Sequence, residues 1–266
     1  SLKDGLYGLC FSPYAEGQDI GDILTEEQIR KRMDVVAPYT KWIRSFSCTE
    51  GNEFIPKVAS EKGLKTMAGA WIGSDKKQNH KEIQALIDLA NQGHVDVAVV
   101  GNEVLLRNEL SVQEVIDYIK EVKKALPDIP VSYVDAYYQF MDRPALVDAC
   151  DVILTNFYPF WEGADNKYAL SYFNRMMQLT QNVANGKKII ITETGWPSIG
   201  NNVEAAHPSK INAMKYFINA QTWSKEEDID IFYFSSFDES WKVDSEGDVG
   251  SYWGIWDKDE QLKFSE

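Results

Sequence analysis

Two glutamates close strongly apolar runs of the chain. Glu103 follows VDVAVVGN, and Glu193 follows KKIIIT. A carboxylate at the end of a buried strand is costly to desolvate, so it is rarely placed there without a chemical task. Two such groups can divide acid and base roles, because mutual repulsion keeps one protonated while the other stays ionised. The competing interpretation is that each forms a salt bridge with Arg or Lys at the rim of the fold.

Eight short apolar runs, all but the last followed by an amphipathic stretch, would position these residues. The pattern is typical of βα units on a parallel sheet. The predicted strands are Leu6–Ser12, Trp42–Ser47, Lys65–Ile72, Val95–Val100, Val131–Val134, Val152–Tyr158, Lys188–Glu193 and Ile231–Phe237. Eight units of about 33 residues predict an α/β fold, a single (β/α)8 TIM barrel over residues 1–266 with short loops. An open doubly wound sheet is the alternative, but no GxGxxG or GxxxxGK[ST] motif follows any strand.

The helices between the strands show start and stop signals. Capping boxes are predicted at Thr25–Gln28 and Ser111–Glu114. Two long helices are predicted at Tyr168–Asn185 and Pro208–Glu226. Because the chain after Phe237 shows no long amphipathic pattern, the eighth helix is expected to be reduced or absent.

The spacing of the two glutamates suggests one reaction. They are 90 residues apart, close to three βα units, which assigns them to the fourth and seventh strands. An eight-stranded barrel is only wide enough to be filled by side chains, so the two carboxylates would approach within several ångströms. A separation of about 5–5.5 Å suits a retaining glycosidase, in which one carboxylate is the nucleophile and the other is the acid/base.

Other residues just past the strands would converge on the same face of a barrel. The candidates are Phe11, Tyr14, Arg44, Trp71, Asn102, Asp135, Tyr137, Tyr158, Trp161, Trp196, Glu239, Trp241 and Lys242. The tryptophans among them could stack on sugar faces through their flat apolar area, and the alternative is that they cap the barrel core.

Composition narrows the class of ligand. The chain has 27 Lys and Arg against 41 Asp and Glu, a formal net charge of −14. This balance speaks against nucleic acids and anionic membrane surfaces, because phosphate binding needs clustered cations. Three scattered histidines speak against a His-based zinc site and a Ser-His-Asp triad. No apolar run is long enough to span a bilayer, and the many aromatic residues favour a neutral ligand.

Neither the cysteines nor the start of the chain indicates the cellular compartment in which the protein works. Cys10, Cys48 and Cys150 form no CxxC pair. Buried free thiols are expected, with one Cys10–Cys48 bridge as the alternative. The opening SLKDGLYGLCFS has no secretory signature, which indicates either a cytosolic protein or a mature form.

The motifs around both glutamates resemble those of a known family. VVGNEVLLR (Val99–Arg107) and IITETGWPS (Ile190–Ser198) are similar to the catalytic motifs of glycoside hydrolase family 17, in the clan A barrels. Four further segments agree in order with that family: RSFSC (Arg44–Cys48), YPFWEG (Tyr158–Gly163), FDESWK (Phe237–Lys242) and YWGIWD (Tyr252–Asp257). The resemblance covers nearly the whole chain and is closer to bacterial and yeast-like members than to plant endoglucanases.

The resemblance implies roles for the matched residues. Glu103 would be the acid/base and Glu193 the nucleophile of a retaining reaction on β-1,3-glucans, with no metal or cofactor. Asn102 would bind the sugar 2-hydroxyl, and Arg44 and Tyr158 would keep Glu193 ionised and oriented. Glu239 and Lys242 fall on a motif to which we assign substrate positioning.

We therefore expect a monomeric, endo-acting hydrolase of laminarin-like, neutral β-1,3-glucan in a secreted, periplasmic or cell-surface setting. The first alternative is a glucanosyltransferase with the same catalytic pair, in which Tyr137, Tyr138 and Trp161 hold an acceptor sugar. The second is a non-catalytic glucan-binding protein, although a binder gains nothing from two costly carboxylates.

Overall fold

Eight parallel strands form a closed ring in the computed structural model, which describes residues 2–264. The strands are β1 (Leu6–Cys10), β2 (Thr40–Arg44), β3 (Lys65–Ala70), β4 (Val97–Asn102), β5 (Val131–Ala136), β6 (Ile153–Asn156), β7 (Ile189–Thr194) and β8 (Ile231–Tyr233). Each strand pairs with the next, and β8 pairs with β1. This ring confirms the predicted barrel.

The strands are apolar because both of their faces are covered. Every residue of β4 through β8 is buried, as expected for a parallel sheet packed on two sides. On β4, Ala98 and Val100 share an apolar cluster with residues of the surrounding helices, whereas Val97 and Val99 belong to a second cluster. The core therefore occupies both sides of the ring.

Helices follow the strands in the order that the sequence predicts. They are α1 (Glu26–Val36), α2 (Phe54–Glu61), α3 (Lys76–Asn91), α4 (Val112–Ala125), α5 (Pro144–Ala149), α6 (Ala169–Val183), α7 (Lys210–Glu227) and α8 (Val243–Glu246). The two long helices predicted after residues 168 and 208 correspond to α6 and α7. The final helix has four residues, so the expected reduction is confirmed.

The two predicted capping boxes differ in the structure. At α4 the box is complete, because Ser111 and Glu114 each accept a hydrogen bond from the other's backbone N–H. At α1 only half of it forms: Thr25 accepts from the Gln28 backbone, but the Gln28 side chain donates to the Pro13 carbonyl at 2.7 Å. That bond ties the helix start to the loop after β1.

The three cysteines are buried free thiols. The Cys10 thiol faces the Thr192 carbonyl, and the Cys48 thiol faces the Gly69 carbonyl. The two side chains therefore point to different neighbours, and the alternative of a Cys10–Cys48 bridge is wrong. Within residues 2–264, none of the helices combines the length and apolarity needed to cross a membrane.

Candidate active site

Glu193 lies on β7, near its carboxyl end, and both of its carboxylate oxygens accept hydrogen bonds. Its Oε1 accepts from Nη1 of Arg44 at 2.6 Å, and its Oε2 accepts from the Tyr158 hydroxyl at 2.7 Å. Arg44 ends β2 and is only 1% exposed. A buried guanidinium is stabilised mainly by such a partner. This arrangement suits an ionised, oriented carboxylate.

Arg44 also connects the nucleophile candidate with β4. Its Nη2 donates to Oδ1 of Asn102 at 2.8 Å. Asn102 is the last residue of β4 and directly precedes Glu103. One planar guanidinium thus fixes groups on three strands, which a point-like ammonium could not do with the same geometry.

Glu103 leaves β4 at an irregular point. The register between β4 and β5 shifts between Val99 and Asn102, and Gly101 has a φ of 88° that glycine adopts without strain. Glu103 itself has a φ of 54°, which is uncommon for a residue with a Cβ. These turns direct the Glu103 carboxyl into the barrel mouth.

The surroundings of Glu103 favour its protonated form. Burial, followed by the negative charge of Glu193, raises the pKa of Glu103 to about 7. The Asn156 Nδ2 donates to its Oε1 at 2.8 Å and opposes the rise. Burial and the Glu193 charge also raise the pKa of Tyr158 well above its usual range, so this hydroxyl remains a donor at neutral pH. The site therefore contains an acid that can release its proton near neutrality beside a carboxylate held by two donors.

Both glutamates open into one cavity of about 500 Å³. Its lining is made of four carboxylates, several aromatic rings and a few small or amide side chains: Glu103, Leu106, Ala136, Tyr137, Tyr138, Asn156, Tyr158, Trp161, Glu162, Glu193, Phe234, Ser245, Glu246 and Trp253. No Lys or Arg is among these described residues. Among residues 2–264, no group of three or more His, Cys, Asp or Glu is arranged to hold a metal ion.

Comparison with known proteins identifies the family of this site. The family model of the BtgE/BtgC glycoside hydrolase domain matches residues 8–254. The chain belongs to this glycoside hydrolase family. The match spans both candidate catalytic residues, and the resemblance inferred from the motifs is confirmed.

Three relatives show how far the similarity of this glycoside hydrolase extends. The glucan 1,3-β-glucosidase of Saccharomyces cerevisiae is 25% identical, over 97% of this chain and 90% of the relative. The glucan endo-1,3-β-glucosidase of Emericella nidulans is 29% identical, over 75% of this chain and 35% of the relative. The β-1,3-glucanosyltransferase of Rhizomucor miehei, a family 17 enzyme whose active-site mutant was solved with laminaritriose, has 27% identity and a TM-score of 0.87, covering 98% of this chain and 96% of that one.

Six of the sequence-predicted site residues of this glycoside hydrolase line the cavity. They are Glu103, Tyr137, Tyr138, Tyr158, Trp161 and Glu193. Arg44 and Asn102 lie directly behind the two glutamates. The Trp161 ring remains 41% exposed and lies 5.6 Å from the Trp253 ring, so its free face is available to a ligand.

Glu239 and Lys242 form a buried ion pair behind the cavity wall. The Lys242 Nζ lies 2.9 Å from Oε1 of Glu239 and 4.4 Å from the centre of the Phe234 ring. Burial lowers the pKa of Lys242, but the negative charges of Glu239 and Glu246 have the larger combined effect, so the pKa of Lys242 is raised. Lys242 therefore stays cationic and supports Phe234, which lines the cavity. Neither member of the pair lines the cavity itself.

The remaining predicted residues lie outside the cavity lining. Trp196 is 1% exposed, packs on Phe160, and donates through Nε1 to the His207 carbonyl. Its expected stacking on sugar is wrong for this geometry, because the side chain is buried against Phe160 and Tyr216 and its N–H is already engaged by the protein. The other residues outside the lining are Phe11, Tyr14, Trp71, Asp135 and Trp241.

Each of these five has a partner within the protein. Phe11 contacts Phe237, and Tyr14 contacts Trp241 while its backbone N–H donates to Glu239. Trp71 lies under the Arg107 guanidinium at 4.5 Å and keeps 38% of its surface exposed. Asp135 is fully buried beside Tyr133. Direct ligand contact therefore stays a prediction only for the partly exposed rings of Trp71 and Trp241.

Sequence reasoning missed eight residues of the cavity lining: Leu106, Ala136, Asn156, Glu162, Phe234, Ser245, Glu246 and Trp253. Three of them bear on the reaction. Asn156 binds the acid candidate and was placed inside a strand that in fact ends at this residue. Trp253 is not among the tryptophans that the sequence singles out for stacking on sugar. Glu246 lies in α8, where no strand pattern indicates it; burial raises its pKa to about 7, and the Lys242 charge opposes this. Of these three residues, only Trp253 belongs to a motif of the family resemblance, Tyr252–Asp257, and a motif does not show the direction of a side chain.

Proposed function

We propose that this enzyme hydrolyses internal β-1,3-glucosidic bonds of laminarin-like glucans with retention of configuration. The observation that carries the proposal is the division of roles in one cavity: Glu103 is a half-buried acid whose surroundings raise its pKa to about 7, and Glu193 accepts hydrogen bonds from Arg44 and Tyr158. The names of the yeast, Emericella and Rhizomucor relatives support the choice of a β-1,3-glucan.

The mechanism follows from these two environments. Glu193 attacks the anomeric carbon while Glu103 gives its proton to the departing glycosidic oxygen, so a glycosyl ester replaces the glycosidic bond. Glu103, now ionised, takes a proton from water, and the resulting attack on the anomeric carbon releases Glu193. Because Arg44 holds Oδ1 of Asn102, we assign the amide Nδ2 to the sugar 2-hydroxyl.

The cavity favours a neutral polymer bound along an open surface. Its lining combines exposed aromatic rings with carboxylates and lacks basic residues among the described side chains. A uronic or sulfated chain would meet like charge there, at a cost that a neutral glucan avoids. Since polymeric glucan does not cross membranes unaided, we place the enzyme in a secreted, periplasmic or cell-surface setting. We propose that it acts as a monomer, because one chain supplies both glutamates.

One wall of the cavity supports glucanosyl transfer as the second candidate function. The rings of Tyr137 and Tyr138 lie 5.4 Å apart, and the Tyr137 hydroxyl donates to Glu162 at 2.9 Å. Together with Trp161 they form an aromatic surface next to the acid candidate, where an acceptor sugar could replace water. The Rhizomucor relative, which is named a β-1,3-glucanosyltransferase, agrees with this alternative.

Time-resolved product analysis on defined β-1,3-gluco-oligosaccharides tests both candidates. Hydrolysis with retention predicts shorter products whose new reducing ends are initially β by NMR. Initial α-anomers would refute retention, and a majority of products longer than the substrate would establish transfer. Binding without any turnover would refute enzymatic function.

A nucleophile variant provides the matching residue test. Glu193→Gly should lose turnover by several orders of magnitude, and azide should restore cleavage as an inverted glycosyl azide. Glu121→Gln, an exposed position on α4, serves as the control and should keep wild-type turnover. Wild-type activity in the Glu193 variant would remove that residue from its role.

A further inference from the structure

Asp135 is a buried carboxylate next to the acid/base that has no place in the mechanism so far. It lies on β5, is 0% exposed, and does not line the cavity. Its Oδ2 accepts a hydrogen bond from the Tyr133 hydroxyl, and its Oδ1 accepts from the Ala136 backbone at 2.8 Å. A buried carboxylate costs free energy unless its partners compensate, so these contacts indicate a function within the protein.

The partners of Asp135 belong to the turn that carries Glu103. The Tyr133 hydroxyl, which donates to Asp135, accepts from the Leu105 backbone N–H at 2.9 Å. The backbone N–H groups of Leu105 and Leu106 also favour the charged form of Asp135. The carboxylate thus connects β5 with the two residues that follow the acid/base by two and three positions.

The same turn is held at two further points. The Glu103 backbone N–H donates to the Val134 carbonyl, and the Arg107 backbone N–H donates to the Glu103 carbonyl, both at 2.9 Å. The backbone at Glu103 has a φ of 54°, a conformation that a residue with a Cβ keeps only when surrounding contacts hold it in place. Of these anchors, only Asp135 adds a negative charge, since the other charged residue, Arg107, is cationic and donates through its guanidinium to the Asn102 carbonyl.

We propose that Asp135 is a positioning residue for the acid/base: its hydrogen bond with Tyr133, which in turn accepts from the Leu105 backbone, fixes the Glu103 turn and adds a buried carboxylate to the surroundings of Glu103. The proposal rests on the proposed function, because it assigns to Glu103 the role of general acid. It replaces the direct contact with sugar that the sequence suggested for Asp135.

The charges around both carboxyl groups determine the sign of the electrostatic effect. Glu103 is faced by Glu193 and Asp135, which raise its pKa, and by Arg44 and Asn156, which lower it. Burial raises the pKa of Asp135 to about 6, and its hydrogen bonds oppose the rise. Asp135 is thus largely ionised at pH 7, where its charge disfavours ionisation of Glu103.

Other groups near the pair are phenols and one guanidinium. Tyr138 faces both carboxyls, and burial followed by the charges of Asp135 and Glu103 raises its pKa. Tyr133 is also kept neutral by burial and the Asp135 charge, which the Arg107 charge opposes. Neither phenol carries charge near neutrality, so removal of the Asp135 charge should lower the pKa of Glu103.

The test compares Asp135→Asn with Tyr133→Phe on two substrates. Laminaritetraose needs protonation of its leaving group, whereas dinitrophenyl β-laminaribioside does not. For both variants, kcat/KM on laminaritetraose should fall about 10- to 100-fold, part of the roughly 10²–10⁴ that a general acid supplies. On dinitrophenyl β-laminaribioside, kcat/KM of both variants should stay within about 3-fold of the wild-type value. Asp128→Asn, an exposed position, is the control.

The pH profile of kcat/KM separates the effect of the hydrogen bonds of Asp135 from the effect of its charge. The alkaline limb of kcat/KM should move to lower pH in Asp135→Asn and stay in place in Tyr133→Phe, which removes the link but no charge. Equal losses on both substrates in both variants would show a merely structural role and overturn the proposal. An unmoved limb in Asp135→Asn would overturn its electrostatic part. Failure of the wild-type enzyme on laminaritetraose would instead refute the proposed function.

Discussion

Replacing Glu103 by glutamine should stabilise the protein, and the gain should grow with pH. Burial raises the pKa of Glu103 from its ordinary value of 4.5 to about 7. The folded protein therefore binds this proton more tightly than the unfolded chain does. The stability that the proton contributes is fully present below pH 4.5 and is lost as the pH rises to 7.

The size of the effect follows from the same two values. A rise from 4.5 to about 7 corresponds to about 3 kcal/mol. Glutamine carries no charge at any pH and keeps a carbonyl oxygen that can accept from Asn156, so the variant avoids this loss. Between pH 4 and pH 8, its free energy of unfolding should improve by about 3 kcal/mol relative to wild type, or about 5 °C in Tm for a chain of this length.

Urea denaturation of both proteins at several pH values measures this difference, because titrating groups that do not interact with Glu103 contribute equally and cancel. Glu121→Gln, exposed on α4, is the matched control, and its difference from wild type should stay within about 0.5 kcal/mol at every pH. Parallel stability profiles of Glu103→Gln and wild type would refute the reasoning, because Glu103 would then ionise as it does in water.

Three further predictions concern the pH dependence of the reaction, the role of Arg44 and the stability of α4. The alkaline limb of kcat/KM should have its midpoint near pH 7, because Glu103 loses its proton there; a limb above pH 9 would contradict this. Arg44→Lys should lower kcat/KM by about 10- to 100-fold, because one ammonium group cannot replace the charge-assisted hydrogen bonds that the guanidinium makes to both Glu193 and Asn102. Each of these bonds is worth about 1.5–3 kcal/mol. An unchanged kcat/KM would show that the double contact of the guanidinium is dispensable. Ser111→Ala should cost about 1 kcal/mol of unfolding free energy by losing the cap of α4, and unchanged activity at low temperature checks that the site is intact.

The sequence revealed the barrel because its strands are buried on both faces. A strand such as β7, with every residue buried, must be a continuous apolar run, and such runs are visible without a structure. For the same reason, Glu103 and Glu193 stood out as charges at the ends of these runs. The hydrogen-bonding partners Arg44 and Tyr158 came from the family resemblance, and the structure places both on Glu193.

What the sequence concealed depends on side-chain direction and on long-range packing. Trp196 follows a strand as Trp161 does, but its ring turns into the core, where Phe160 and Tyr216 receive it. Asn156 was hidden because the predicted strand continued to Tyr158. Asp135 is predicted just past a strand, but it lies within β5, and its carboxylate faces Tyr133 and not the cavity. No local pattern distinguishes these outcomes.

The short α8 changes how readily this enzyme can acquire new specificities. In place of a full outer helix, the barrel has a four-residue turn of helix whose Ser245 and Glu246 line the cavity. Insertions or exchanges in this segment would reshape one wall of the cavity while leaving the ring of strands and the catalytic pair in place. We therefore expect exchanges in this segment to change substrate range with little effect on the ring of strands, so laboratory evolution of specificity should begin here.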